Sequence, residues 1–260
     1  MTTLPFTQVD AFADRPFTGN PAAVMPLEAW LDDATLQAIG AENNLAETAF
    51  TIATDGDADF ELRWFTPATE VALCGHATLA SAHVLIGDRE EIRFRTRKAG
   101  VLTVRRDGDG YAMSLPAWKP DAKPMPEIAR AIGPEPLETL WHPSGYSVLV
   151  YQDEATIRAL TPDFAALRPL GDILYIATAR GETADIVSRA FAPGAGIDED
   201  PVTGSAHAVV APYWAEQLGR TRFTAYQASA RGGHMTCTVE DGRVILGGRC
   251  VTVIEGRFTL

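Results

Sequence analysis

The stretch Cys74-Gly-His-Ala-Thr-Leu-Ala-Ser-Ala-His-Val-Leu-Ile86 decides the fold of this chain. A glycine turn stands directly before a helical run whose residues are small or apolar nearly all round. A helix of this composition has no polar face to present to water, so the rest of the protein must enclose it. The sequence therefore predicts a buried helix that follows this glycine turn.

The same design occurs a second time in the chain. Thr203-Gly-Ser-Ala206 opens a run whose apolar residues continue to Leu218. The pattern Arg63-x-Phe-x-Pro67 precedes the first helix by six residues, and Arg189-x-Phe-x-Pro193 precedes the second by nine. Two copies in one register, apart from a three-residue insertion, indicate a duplicated unit. Pro212 inside the second run is expected to kink that helix or to mark its true start.

Length and composition place the chain among ordinary soluble globular proteins. Its 260 residues could form one large domain or two, and the internal repeat favours two. The chain is 46% hydrophobic and 22% charged, with a net charge of -12. This acidic balance argues against nucleic acid or an anionic membrane as the main partner.

Targeting signals and cysteine spacing point to a cytoplasmic protein with free thiols. The N-terminal residues 1–8 contain neither a basic start nor an apolar signal core, and the sequence offers no long uncharged apolar window. The three cysteines are an odd number without C-x-x-C spacing, so we expect neither a disulfide framework nor a zinc site.

Runs typical of β-strands lie on both sides of each buried helix, with about six in the first half of the chain. The proline-rich segment between Pro116 and Pro136 is the best linker candidate. We therefore predict an α+β protein of two similar domains, residues 1–117 and 118–260, with a last strand that could return to the first domain. Each domain is predicted to be a barrel-like curled sheet around its central helix.

Both repeats present a glycine at a helix start, where unpaired backbone N–H groups and the positive end of the helix dipole favour an anion. The candidate anion-binding residues are Gly75, His76 and Ala77 in one copy and Gly204, Ser205 and Ala206 in the other. If the duplicated halves face each other, both helix starts would serve one cleft. We expect a small-molecule carboxylate as the ligand.

The residues beside the two glycines differ, which suggests asymmetric chemistry on a shared anchor. His76 can donate or accept a proton near neutral pH, and Asp200 can orient it or hold a substrate amine. His207 stands alone and is expected to be a core or surface residue. The sequence carries no H-E-x-x-H motif, clustered His and Cys pattern or convincing dinucleotide loop, so we expect no metal and no cofactor.

Five motifs together resemble the phenazine-biosynthesis PhzF-like family, a branch of the diaminopimelate-epimerase-like fold. They are Phe17-Thr-Gly-Asn-Pro-Ala-Ala-Val24, Asn44-Leu-Ala-Glu-Thr-Ala-Phe50, Arg63-Trp-Phe-Thr-Pro67, Cys74-Gly-His-Ala-Thr78 and Glu199-Asp-Pro-Val-Thr-Gly-Ser-Ala206. The resemblance spans nearly the whole chain. It implies two barrels that each enclose a helix, an active site between the domains, a cofactor-free isomerase and, usually, a homodimer.

The resemblance also assigns roles to individual residues. The glutamate of the N-L-x-E-T motif, Glu47 here, is the family's general acid/base, and the family's site histidine, aspartate and serine fall on His76, Asp200 and Ser205. The family's namesake enzyme shifts a proton, and with it a double bond, in a cyclic dihydro-hydroxyanthranilate. From the residue alone, Glu47 could equally be an outward-facing strand position.

One position departs from the phenazine enzyme. Cys74 stands where diaminopimelate epimerases and proline racemases, which share the fold, keep one of two catalytic thiols, whereas the second such position here is Thr203. A thiol pair for stereoinversion is therefore incomplete. Cys74 could be a relic, a packing residue or, less favoured, a catalytic group.

Three functions remain open from the sequence. The leading hypothesis is an isomerase that moves a proton between carbons of a small carboxylate, with Glu47 as the shuttle. The alternatives are a single-base epimerase or dehydratase that uses Cys74, and a non-catalytic member of the fold that binds a metabolite or a protein. Exchange of a substrate C–H in heavy water, and its dependence on either residue, would separate them.

Overall fold

The computed structural model describes residues 2–260, which form eighteen strands, six α-helices and two short 3-10 helices, Arg168–Leu170 and Pro193–Ala195. The strands are β1 (Thr3–Ala11), β2 (Asn20–Leu27), β3 (Glu47–Ala53), β4 (Phe60–Phe65), β5 (Glu70–Val71), β6 (Glu91–Thr96), β7 (Val101–Asp107), β8 (Gly110–Pro116), β9 (Asp121–Ala122), β10 (Glu138–His142), β11 (Tyr146–Val150), β12 (Leu174–Arg180), β13 (Ile186–Ala192), β14 (Ile197–Asp200), β15 (Arg222–Gln227), β16 (Gly233–Glu240), β17 (Arg243–Gly248) and β18 (Cys250–Thr259). The helices are α1 (Asp33–Asn43), α2 (Gly75–Leu85), α3 (Pro126–Ile132), α4 (Glu154–Ala159), α5 (Phe164–Leu167) and α6 (Gly204–Leu218).

The chain forms two compact units. Unit 1 comprises the described residues up to Ser114 together with Gly247–Leu260, and unit 2 comprises Leu115–Leu246. The predicted domain boundary between residues 117 and 118 stays a prediction. Each unit is a curled sheet with a buried helix, so the predicted fold class is confirmed.

In unit 1 the sheet follows the order β18, β1, β2, β3, β4, β6, β7 and β8. Neighbouring strands are antiparallel except at β2–β3 and β4–β6, which are parallel and joined through α1 and α2 respectively. Helix α2 packs against β1, β2, β3, β7 and β18, so the sheet curls around it. Its first eight residues are all buried, as its composition predicts.

Unit 2 repeats this strand pairing. Its sheet runs β9, β10, β11, β12, β13, β15 and β16, with parallel pairs at β11–β12 and β13–β15. The second parallel connection contains α6, as the corresponding connection in unit 1 contains α2. Helix α6 packs against β11, β12 and β16. The repeated topology confirms two similar domains.

The repeated arginine has the same structural role in each unit. Arg63 places Nε 2.8 Å and Nη2 2.9 Å from the two carboxylate oxygens of Glu70, and Arg189 does the same with Glu199. Each guanidinium also lies 5.0 Å from the ring centre of the phenylalanine two residues later. Bidentate pairs combined with ring contacts need arginine rather than lysine, which explains the repeated pattern.

Pro212 lies in the middle of α6, so the expectation that it marks the true start of the helix is wrong. A proline lacks the N–H that would pair with the carbonyl four residues earlier, here that of Ala208. The backbone N–H of Trp118 donates to this carbonyl at 3.0 Å and replaces the missing partner. Because the lost hydrogen bond is restored, the helix continues past the proline.

The proline-rich segment contains more structure than its composition predicts. It holds the short strand β9 and helix α3, and Met125, Ala129 and Ile132 are buried in the core of unit 2. Proline at the start of α3 is compatible with a helix because the first N–H groups have no intrahelical partner. Among residues 2–260, no helix has both the length and the apolar character needed to cross a bilayer.

Candidate functional site

The start of α2 carries the predicted anion-binding residues of unit 1. Cys74 adopts an extended conformation as the N-cap, and its side chain makes no capping hydrogen bond. Gly75, His76 and Ala77 form the first helical turn and are buried. The N–H groups of a first turn have no intrahelical acceptor and carry the partial positive charge of the helix dipole. This turn can therefore stabilise negative charge.

Glu47 and His76, which are 29 positions apart in sequence, meet at this helix start. Glu47 is the first residue of β3, and its Oε2 lies 2.9 Å from His76 Nε2. Their side chains are only 12% and 5% exposed. The two atoms lie within ion-pair distance, but their geometry does not meet the criteria for a hydrogen bond. A carboxylate and an imidazole enclosed in this way can exchange or share a proton.

Asn20, a fully buried residue of β2, holds the other side of the His76 ring. Its side-chain nitrogen lies 3.1 Å from His76 Nδ1. The preceding Gly19 has φ +66°, and a Cβ there would stand 2.2 Å from the carbonyl oxygen of Ala11. The Phe17–Val24 motif was recognised from the sequence, but no role for its asparagine was predicted. Only the fold places Asn20 beside the histidine.

Cys74 is the third polar group at the His76 ring. Its Sγ lies 3.5 Å from Nδ1 and 3.9 Å from Nε2. Burial, with a smaller effect of the Glu47 carboxylate, raises the pKa of this thiol to about 11, so it is protonated near neutral pH. Burial disfavours the charged form of His76, but the negative charges of a Cys74 thiolate and of the Glu47 carboxylate favour it and raise the pKa of this imidazole well above 6.5.

In unit 2, Asp200 ends β14 and belongs to a buried network at the start of α6. The Thr203 hydroxyl donates to Asp200 Oδ2, and the Thr203 backbone N–H donates to Gln227 Oε1 at 2.8 Å. Gln227 Nε2 in turn donates to the Asp200 carbonyl at 2.7 Å. Gln227 is fully buried and was not predicted as a site residue. Its position on β15 fixes the loop that carries Asp200.

The start of α6 carries the predicted residues Gly204, Ser205 and Ala206. Ser205 is half-buried, and its side chain is close enough to the Tyr146 hydroxyl, on β11, to affect the pKa of that tyrosine. Burial is the main reason that the pKa of Tyr146 is raised, so its hydroxyl stays protonated and available as a donor. No motif in the sequence pointed to this tyrosine.

The structure thus brings together Glu47 and His76 in unit 1. In unit 2 it places Asp200 beside the N-cap of the helix that contains Ser205. The prediction that both helix starts bind the same anion stays a prediction, as do the catalytic roles of these residues. Among the described residues, Glu47, Cys74 and His76 also form a group that could hold a metal ion, with ligand atoms within 4.8 Å of one another.

Comparison with known proteins gives consistent results over the full length of the chain. The family model of phenazine biosynthesis-like proteins matches residues 9–256. An uncharacterized isomerase of Pseudomonas aeruginosa is 52% identical over 258 residues, which cover 97% of this chain and 98% of that protein. The crystal structure of a PhzF family protein from Enterococcus faecalis superposes with a TM-score of 0.93 at 44% identity, with 100% of both chains covered.

A more distant likeness concerns the fold alone. A hydroxyproline epimerase from Agrobacterium vitis superposes with a TM-score of 0.63 at 11% identity, over 98% of this chain and 92% of that one. This likeness shows that the duplicated unit, a curled sheet around a buried helix, has an epimerase-like fold. Because the family model spans nearly the whole chain and the relatives match end to end, this chain belongs to the phenazine biosynthesis-like, PhzF family.

Proposed function

We propose that the protein is a cofactor-independent isomerase that moves a proton between carbons of a small carboxylate-bearing substrate, with Glu47 as the general acid/base. The observation that carries this proposal is the enclosed contact between Glu47 Oε2 and His76 Nε2 at 2.9 Å. A carboxylate shielded from water and paired with a titratable ring can take a proton from one carbon and return it to another. The isomerase names of close relatives support the same class.

His76 supports the shuttle through its charge. Because its pKa is raised, its ring readily carries a positive charge, which lies 2.9 Å from Glu47 Oε2. The carboxylate is the form that accepts a proton from carbon. Asp200, held by Thr203, is the proposed partner that orients the substrate or binds an amine on it. Gln227 keeps this aspartate in place.

The proposed ligand anchor consists of the two helix starts, Gly75-His76-Ala77 and Gly204-Ser205-Ala206. Their unpaired N–H groups suit a substrate carboxylate. Fixing this group limits the positions that the reacting carbon can reach, which is how binding contributes to the rate. We propose a homodimer in the cytoplasm, and sedimentation of the purified chain tests the assembly.

The test measures C–H exchange in heavy water by NMR. The probes are a panel of small unsaturated carboxylates that begins with the cyclic dihydro-hydroxyanthranilate of the family's namesake enzyme. Replacement of Glu47 by Gln keeps the size and shape of the side chain but removes the base. Exchange should fall at least ~100-fold in this variant, with an unchanged circular dichroism spectrum. Near-full exchange in the folded variant would contradict the proposal.

The same experiment addresses the alternatives. Cys74 lies close enough to His76 to be activated by it, which is the observation that keeps a single-base epimerase or dehydratase in consideration. The raised pKa of this thiol argues against it, since the thiolate is the reactive form. Exchange that depends on Cys74 and survives Glu47→Gln would favour the thiol mechanism. Binding of a probe without any exchange would favour a non-catalytic binding protein.

A further inference from the structure

Cys74 is a buried nucleophilic group that the proposed proton shuttle does not use. It nevertheless points at the same histidine as Glu47, with Sγ 3.9 Å from His76 Nε2 and the carboxylate Oε2 2.9 Å from that nitrogen. The three ligand atoms all lie within 4.8 Å of one another. A thiolate, an imidazole and a carboxylate converging in one enclosed space form the donor set that zinc prefers.

We infer that Glu47, Cys74 and His76 bind Zn²⁺, and that the bound ion blocks the chemistry of Glu47. Zinc bonds of about 2.0 to 2.3 Å place tetrahedral ligand atoms roughly 3.3 to 3.7 Å apart. The distance from Glu47 Oε2 to His76 Nε2 is 2.9 Å and that from Cys74 Sγ to the same nitrogen is 3.9 Å, one below and one above this range. Shifts on the order of 1 Å would therefore complete the site. Three protein ligands leave a fourth position for water.

A second observation supports a metal at this place. A zinc-bound histidine almost always donates its other ring N–H to a carboxylate, a carbonyl or a water molecule. Asn20 lies 3.1 Å from His76 Nδ1 and is fully buried. A half-turn of the side-chain amide exchanges the positions of its oxygen and its nitrogen. With its oxygen toward Nδ1, Asn20 would accept this hydrogen bond and orient the ring.

Charge balance also favours the divalent ion. A Cys74 thiolate and a Glu47 carboxylate carry two negative charges, which Zn²⁺ neutralises inside the protein. Cys74 is the N-cap of α2, where the positive end of the helix dipole favours the thiolate. Because Glu47 would be a ligand, it could no longer accept a proton from substrate. The bound ion would therefore be inhibitory, and this part of the inference rests on the proposed function.

Binding is tested on the full chain without any substrate. The metal-free protein is titrated with Cd²⁺, whose thiolate complexes absorb in the ultraviolet, and with Zn²⁺ by calorimetry. We expect one ion per chain and a thiolate-to-metal band. Cys74→Ser should abolish the band and weaken zinc binding at least ~100-fold, since loss of a ligand exceeds the effect of losing an outer partner. Cys250→Ala, which removes another thiol of unit 1, should retain both.

A second measurement uses the wild-type protein, in case Cys74→Ser does not fold. Alkylation of each cysteine is followed by mass spectrometry with and without Zn²⁺. Zinc should slow the labelling of Cys74 at least ~10-fold and leave that of Cys250 unchanged. Equal labelling rates for Cys74 in the two conditions, or a cadmium band that persists in folded Cys74→Ser, would overturn the site.

The inhibitory consequence is measured separately in the exchange assay. Zn²⁺ should stop exchange in proportion to occupancy, and a chelator should restore it. Stoichiometric binding at Cys74 with undiminished exchange would overturn inhibition but not binding. If none of the probes exchanges in the metal-free protein, the proposed function fails, whereas the titration and labelling results still decide the metal site.

Discussion

Acidification should destabilise unit 2 through His207, a residue in the interior of α6. His207 is fully buried, its Nδ1–H donates to the Thr203 carbonyl at 2.9 Å, and Ser188 Oγ lies 3.2 Å from its Nε2. Burial lowers its pKa from 6.5 to about 4, so the folded protein keeps the ring neutral. His207 was expected to be a core or surface residue, and the structure places it in the core.

The sign and size of the effect follow from proton binding. Between pH 6.5 and pH 4 the unfolded chain binds a proton at His207 that the folded chain does not. The stabilisation is therefore complete above pH 6.5 and is lost as the pH falls toward 4. Each unit of pKa difference corresponds to about 1.4 kcal/mol, which gives a loss of about 2 kcal/mol in the free energy of unfolding between pH 7 and pH 5.

The assay is urea unfolding at pH 7 and pH 5, with hydrogen exchange of residues 204–218 to assign the transition to unit 2. His207→Gln cannot titrate, so the loss between the two pH values should shrink by about 2 kcal/mol. His234→Gln removes an exposed histidine of the same unit and should keep the wild-type loss. An equal pH dependence in His207→Gln and wild type would refute the reasoning.

Three further predictions test the fold and the cofactor-free mechanism. Arg63→Met should lower the free energy of unfolding in urea by about 3 kcal/mol, because the Arg63 side chain is 2% exposed and Glu70 would lose its bidentate partner. Arg97 also pairs with Glu70 but its side chain is 52% exposed, so Arg97→Met should lower it by less than about 0.5 kcal/mol. Gly19→Ala should lower the free energy of unfolding by at least ~2 kcal/mol, because Gly19 has a positive φ and an added Cβ would meet the Ala11 carbonyl. Gly100→Ala has a positive φ but open space, so its effect should be smaller. Equal losses in the two variants would contradict the steric argument. Proton exchange should persist after dialysis against a chelator, and loss that an added metal ion restores would contradict a cofactor-free mechanism.

The sequence by itself determined the elements and their duplication. Apolar composition on every face required α2 to be enclosed, and the matching run after Thr203 required the same of α6. Helix α1 begins after the capping side chain of Asp32 and ends at a left-handed Asn44, both of which are local signals. These features could be predicted because they depend on neighbouring residues and on periodicity.

Long-range pairing decided what local signals could not. The proline-rich segment was predicted as a linker, but α3 inside it forms because Ala129 and Ile132 pack into the core of unit 2. Pro212 was expected to disturb its helix, and a backbone N–H far away in sequence, that of Trp118, supplies the missing hydrogen bond. Neither partner can be identified from the residues around the proline.

The candidate site divides in the same way. The Cys74-x-His76 pair and the glycine turn are visible in the sequence. Glu47 and Asn20 reach the same ring because β2 pairs in parallel with β3 and because α2 packs against both strands. The three-ligand group was therefore missed by motif spacing. Gln227 likewise reaches Asp200 only because β15 lies beside β13 in the sheet of unit 2. Sequence supplies the chemical groups, and strand order determines which of them meet.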